Sequence, residues 1–230
     1  MKFPLATFAV LLSAALASTA QQPGPPKAAA FISFHFERPG LDVPKFTLTV
    51  NEDGTGRYAA EQVLANPGLA DDGAATAMQH IDRTFVLSQR TTRQIFAAAR
   101  ELDHFNAPCA SKAKKVADTG RKTLHYMGDG VEGSCMYNYS QDKRVVMLTD
   151  TFGAIAATLD IGRKLDFDHR FDRLGLDAIT AQLVEEVNAG RAIELGTIAP
   201  TLRSLAQDSD VMERVRSRAA KLMLQASSTY

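Results

Sequence analysis

The sequence predicts an α+β protein: an antiparallel sheet of about five to six strands with one or two packed helices, followed by a C-terminal three-helix segment. Three observations predict it. Between Phe31 and Val63 apolar and polar residues alternate at a period of two, the pattern of half-buried strands. A second pair of strand-like runs lies between Lys122 and Tyr139, after one strong helical stripe. Beyond Gly162 the strand signals stop and three apolar stripes at helical spacing follow. Strands first and then only helices is the order of a segregated α+β fold.

Taken in order, the first twenty residues carry an export signal. Lys2 supplies a positive start, Leu5 to Leu16 is an apolar run, and small residues close it at Ala17-Ser18-Thr19-Ala20. Ser18 and Ala20 suit the minus-three and minus-one pockets of a signal peptidase, so cleavage is expected before Gln21, with Ala15-Leu16-Ala17 as a second site. Gln21 to Lys27 is rich in Pro and begins a tether over 21–30. The α+β domain is then expected over 31–163 and the helical segment over 164–230. No later segment is expected to reach transmembrane length, so the mature chain is expected to be exported, periplasmic or secreted, without a membrane anchor.

Ile32, Phe34 and Phe36 alternate with Ser33, His35 and Glu37 to mark the first strand, and Phe46, Leu48 and Val50 mark the second. The turn residues Asn51 to Gly56 predict a hairpin whose return strand is Arg57 to Val63. Asn66 to Thr76 reads as a loop, and Arg83 to Ser88 as a further strand. Thr91-x-x-Gln94 is a capping-box pattern ahead of the face Ile95, Phe96, Ala99 and Leu102. Asn106 to Asp118 is irregular. Lys122 to Met127 and Ser134 to Tyr139 read as strands joined by Gly128 to Gly133, and Leu148, Phe152, Ile155, Ala156 and Leu159 line a long helix. The three C-terminal stripes are Leu176, Ile179, Leu183, Val184 and Val187; Ile198, Leu202 and Leu205; and Val211, Val215, Ala219 and Leu222, the last begun by Asp210-x-x-Glu213.

Composition excludes several classes. The chain has 230 residues, 45% hydrophobic and 23% charged, which is outside the disordered and disulfide-dense ranges. Lys plus Arg equals Asp plus Glu at 26 each, where a nucleic-acid binder carries a basic excess or a basic face. The densest basic cluster, Lys112, Lys114 and Lys115, has no aromatic neighbour. Nucleic acid is therefore not an expected partner.

The candidate sites are few. Cys109 and Cys135 are the only cysteines, and in an oxidising compartment an even count favours a disulfide. Closing a loop of about 27 residues stabilises by roughly 3–4 kcal/mol. Asp166, Asp168, His169 and Asp172 are the densest set of metal-capable side chains; on a helix, His169 and Asp172 or Asp168 and Asp172 are neighbours. Asp166 with Arg170 and Arg173 with Asp177 also fall at ion-pair spacing, so a charged, solvated hinge explains the same residues. Asn51-x-Asp53-x-Thr55-Gly56 matches the front of a calcium loop, but Gln62 stands where the bidentate Glu belongs. Asp118-Thr119-Gly120 matches the aspartic-protease triplet, but Arg121 and Lys122 follow it and no second triplet exists. His35 and His125 fall in strands and either share a groove or face solvent. Tyr126, Tyr137 and Tyr139 either form an exposed recognition face or cover the helix packed on the sheet. No nucleophile elbow, phosphate-cradling loop, dinucleotide fingerprint or His-Glu-x-x-His motif is present, and no cofactor is expected.

Pro200-Thr-Leu202-Arg-Ser-Leu205 through Asp208-Ser-Asp210-Val211 to Arg214-Val215-Arg216 resembles the second half of a HEAT repeat over about 30 residues, and one repeat does not make a solenoid. Through Asp172-Arg-Leu-Gly-Leu-Asp177 and the helical tail, the chain also resembles a group of exported bacterial proteins to which no activity is attached. The leading expectation is a non-catalytic binding or interaction module, its partner another extracytoplasmic protein. The alternative is an extracytoplasmic metal-dependent hydrolase using the acidic segment around His169.

Overall fold

The computed structural model describes residues 29–64, 77–113 and 115–227. The expected leader, most of the tether and the loop Asn66 to Thr76 lie outside the described residues. Six strands, β1 (Phe31–Glu37), β2 (Lys45–Asn51), β3 (Thr55–Val63), β4 (Met78–Val86), β5 (Arg121–Gly128) and β6 (Val131–Tyr137), form one antiparallel sheet in the order β4-β3-β2-β1-β5-β6. The first four strands are a meander. Helix α1 (Gln89–Glu101) follows the β4 edge, and β5 then pairs with β1, so that β1 lies inside the sheet. The expected α+β class is the observed one.

The period-two pattern decides the register. Ile32, Phe34, Leu48, Val50, Tyr58, Ala60, Ile81, Phe85, Leu124, Tyr126, Cys135 and Tyr137 are all buried and belong to one core with α1 and a second helix, α2 (Lys143–Phe171). Most alternate residues of the same strands are polar, and three pairs cross the opposite face: Lys45 with Glu61, Arg57 with Asp82 and Arg121 with Glu37. A one-residue slip would exchange the two sets, so the register is strongly specified.

Several boundaries differ from expectation. β4 begins at Met78, five residues before Arg83, because it pairs along all of β3. α1 is capped by Ser88, whose hydroxyl accepts from the Thr91 N–H, and not by Thr91. β5 and β6 are joined by the two residues Asp129 and Gly130, both at positive φ (56° and 76°), the conformation of a tight primed turn. Tyr139 therefore lies beyond β6.

Helix α2 (Lys143–Phe171) has 29 residues, about 43 Å of helix. The boundary expected at 163/164 falls inside it. Its first part buries Val145, Leu148, Phe152, Ile155 and Leu159 under the sheet, with Phe152 stacked on Phe34 at 5.2 Å. Its last part supplies Ile161 and Leu165 to a second core with α3 (Leu176–Asn188), α4 (Ala199–Gln207) and α5 (Glu213–Ser227). One helix is thus the spine of both cores. Contrary to expectation, α2 is long and apolar enough to cross a membrane by length and composition; 56% of that apolar window is buried inside the protein, so it packs as a core helix.

Asp142 caps α2. Its carboxylate accepts from the Arg144 N–H at 2.9 Å and pairs with the Arg144 guanidinium at 2.6 Å. These bonds hold its carboxyl down at about 2. A group depressed on folding stabilises above its unfolded pKa and loses that contribution as the pH falls through its folded one. The wild type should therefore lose stability between roughly pH 4 and 2, and Asp142→Asn, which keeps the cap without the charge, should flatten that limb in acid denaturation. An identical limb in both proteins would contradict the assignment.

Candidate functional site

The acidic segment does not assemble as one site. Asp166 accepts from the Arg83 guanidinium of β4 at 2.9 Å and from the Thr201 hydroxyl of α4 at 2.7 Å. His169 meets Asp208, in the turn between α4 and α5, at 2.7 Å, and Arg173 approaches Asp208 and Asp210. Asp172 ends α2 and accepts from the Gly175 N–H at 3.2 Å. Burial and the neighbouring Asp172 push the Asp168 carboxyl up. Asp177 pairs with Arg214 and Arg218 of α5. The local pairs expected from spacing, Asp166 with Arg170 and Arg173 with Asp177, are replaced by bonds between elements that clamp the end of α2 to β4, α4 and the α4–α5 turn, and α3 to α5. Among the described residues no three His, Cys, Asp or Glu side chains are grouped to hold a metal ion.

Beside this segment runs a cleft of about 540 Å³, lined by Arg83, Arg163, Lys164, Asp166, Asp168 and Arg170 together with Phe167 and Phe171. Arg83 is matched by Asp166, and Arg163 and Lys164 by Asp160. Phe167 and Phe171 pack on each other at 4.9 Å on the solvent side.

The other expected sites are resolved by packing. Cys109 and Cys135 form an intrachain disulfide with a Cα–Cα distance of 5.7 Å, tying the irregular segment after α1 to β6. Tyr126 and Tyr137 are each only 4% exposed: Tyr126 packs on Phe96 and His104, and the Tyr137 hydroxyl bonds Thr149 of α2 at 2.6 Å. Only Tyr139, at 44%, is exposed, so the exposed three-Tyr recognition face does not form; β6 has ended before Tyr139, and the other two rings cover the helices. His35 bonds Thr47 at 2.9 Å and His125 bonds Glu132 at 3.1 Å, both on the polar sheet face. The sheet separates them from α2, and they do not converge with the acidic segment. Asp53 accepts from the Thr55 N–H and hydroxyl to close the β2–β3 turn.

Asp118-Thr119-Gly120 is held by a residue that sequence reasoning missed. Lys122 is 7% exposed. Its ammonium donates to the carbonyls of Thr119, Gly120 and Asn138 at 2.9–3.0 Å and to the Thr119 hydroxyl at 3.0 Å. It also lies 5.7 Å from the Phe36 ring centroid. Burial lowers its pKa, while the carbonyl cage favours the charged form. A lysine in a strand ordinarily reads as solvent-facing, and only the register, which puts it on the core face with Leu124 and Tyr126, reveals otherwise.

Lys122 borders a second cavity, of about 280 Å³, between the sheet and α2. Phe34 and Phe36 of β1, Phe46 of β2 and Tyr58 of β3 form one wall, and their rings follow one another at 5.2–6.0 Å. The opposite wall is the stretch of α2 bearing its smallest side chains, Gly153, Ala156 and Ala157, and a Cβ placed on Gly153 would meet no atom within 4 Å. Leu41 and Val43, from the β1–β2 connection, stand at the rim, with Asp160 among the lining residues. The lining comes from β1, β2, β3, β5, α2 and the β1–β2 connection, so no linear motif announces it.

No family model matches the chain, and no curated protein matches it.

Proposed function

We propose that this chain is an extracytoplasmic, non-catalytic binding module that takes a small, mostly apolar molecule into the cavity between the sheet and α2. The observation that carries the reading is the cavity wall itself: four aromatic rings facing the point where α2 narrows to Gly153, Ala156 and Ala157. Small-ligand sites are concave, mostly apolar and supplied with few polar groups. The charged groups here are committed to structure, Lys122 to backbone carbonyls and Asp160 to Arg163 and Lys164, which favours binding over chemistry. The leader-like residues from Lys2 to Ala20 and the Cys109–Cys135 disulfide support an extracytoplasmic address.

The test is a titration of the protein with n-propylbenzene followed by NMR. Wild type should bind saturably. Gly153→Leu should bind at least tenfold more weakly, because the new side chain occupies the cavity, while its thermal midpoint holds or rises as a helical glycine is replaced by a better helix former. Equal binding by the two proteins would overturn the assignment.

A further inference from the structure

We infer that the cavity selects a neutral ligand carrying a hydrogen-bond acceptor, such as a carbonyl or ether oxygen on an aromatic or aliphatic body, and that the Tyr58 hydroxyl reads that acceptor. This rests on the cavity being the ligand site.

The argument is an accounting of the polar groups in the wall, which are Lys122, Thr149, Tyr58 and Asp160. Lys122 has three N–H donors and already meets four acceptors. The Thr149 hydroxyl donates to the Val145 carbonyl and is bonded to the Tyr137 hydroxyl. Asp160 holds Arg163 at 2.9 Å and Lys164 at 3.2 Å. Tyr58 is different. The residue is 2% exposed, its ring packs on Phe46 at 5.9 Å, and no described residue hydrogen-bonds its hydroxyl. A tyrosine hydroxyl that the protein leaves unbonded at a cavity wall is available to a ligand. Burial and the negative charge of Asp160 raise its pKa, so it stays protonated and can donate.

Charge sets the rest of the selectivity. A carboxylate ligand would find the Lys122 donors occupied and would face the Asp160 carboxylate. An ammonium ligand would face Lys122, and Asp160 is already taken by Arg163 and Lys164. A neutral acceptor meets neither penalty and satisfies the one unbonded donor.

The experiment compares three probes on the full chain: propiophenone, n-propylbenzene, which lacks the carbonyl, and 3-phenylpropionate, which carries a charge. Wild type should bind propiophenone about tenfold more tightly than n-propylbenzene, the worth of one neutral hydrogen bond, and 3-phenylpropionate most weakly. Tyr58→Phe, which keeps the ring, should bring the two neutral probes within about twofold of each other. A preference for propiophenone that survives in Tyr58→Phe, or tightest binding by the carboxylate, would overturn the inference. If neither neutral probe binds wild type, it is the cavity reading that fails.

Discussion

Replacing Gly133 by alanine should destabilise the protein by more than about 3 kcal/mol, enough to unfold a domain of ordinary stability at elevated temperature. A Cβ at this position of β6 would lie 2.1 Å from the His104 carbonyl oxygen and 2.9 Å from the Asn106 amide nitrogen. The obstruction is backbone and has no easy way to retreat. Asp103, His104 and Phe105 are three consecutive non-glycine residues at φ of 50°, 53° and 68°, a left-handed turn that costs about 1–2 kcal/mol per residue. Tertiary packing holds it in place. Phe105 is fully buried, the His104 ring lies 4.5 Å from Tyr126, the Asn106 amide donates to the Asp103 carbonyl, and the disulfide anchors the chain a few residues on. Gly130 provides the contrast: its φ is +76° but a Cβ there would meet nothing within 4 Å. Gly130→Ala should therefore cost only about 1–2 kcal/mol. Urea unfolding of the two variants would measure both, and a Gly133→Ala protein within about 0.5 kcal/mol of wild type would show that the turn does not sit where the structure places it.

Glu194→Ala should cost about 3 kcal/mol, the scale of removing one member of a buried charged network. Glu194 lies between α3 and α4, is 5% exposed, and has a left-handed backbone at φ 56°. Its carboxylate reaches the start of α1, where it accepts from the Ser88 N–H and hydroxyl at 2.7 Å each and from the Thr91 hydroxyl. An anion there complements the positive end of the helix dipole. Truncation would strand the buried Ser88 donors. Glu194→Gln should recover only part of the loss, because a uniformly accepting carboxylate is replaced by an amide whose NH2 end faces donors. Thr158 reinforces the same junction by donating to the Ile193 carbonyl at 2.7 Å. Hydrogen exchange in Glu194→Ala should therefore quicken together in 189–198 and in the first turn of α1. Unchanged stability and exchange would contradict the clasp.

What was legible in the sequence follows from which interactions are local. β1, β2 and β3 could be read because alternation at period two is written in neighbouring residues, Ile32, Phe34 and Phe46, Leu48, Val50 among them. The α1 cap is not legible locally: Thr91-x-x-Gln94 satisfies the local pattern, whereas Ser88 is selected by a carboxylate more than a hundred residues away. The sequence pattern ends α2 too early because Arg163, Lys164, Asp166 and Asp168 look like the end of an apolar segment. Ile161 and Leu165 suffice to bury the continuing face, and Asp166 finds Arg83 and Thr201 on other elements. The acidic segment is dense in sequence, and density in sequence is not convergence in space. Lys122, Tyr58 and Gly153 were invisible as a group, because only strand order and the packing of α2 bring them to one cavity.

The cavity reading is tested most directly by locating a bound probe. In methyl-resolved NMR of the full chain with saturating propiophenone, intermolecular nuclear Overhauser effects should reach the methyl groups of Leu41, Val43, Ala156 and Ala157. Effects confined to the methyls of Leu64 and Ile179, beside the charged cleft, or no intermolecular effects at all under saturating ligand, would contradict it.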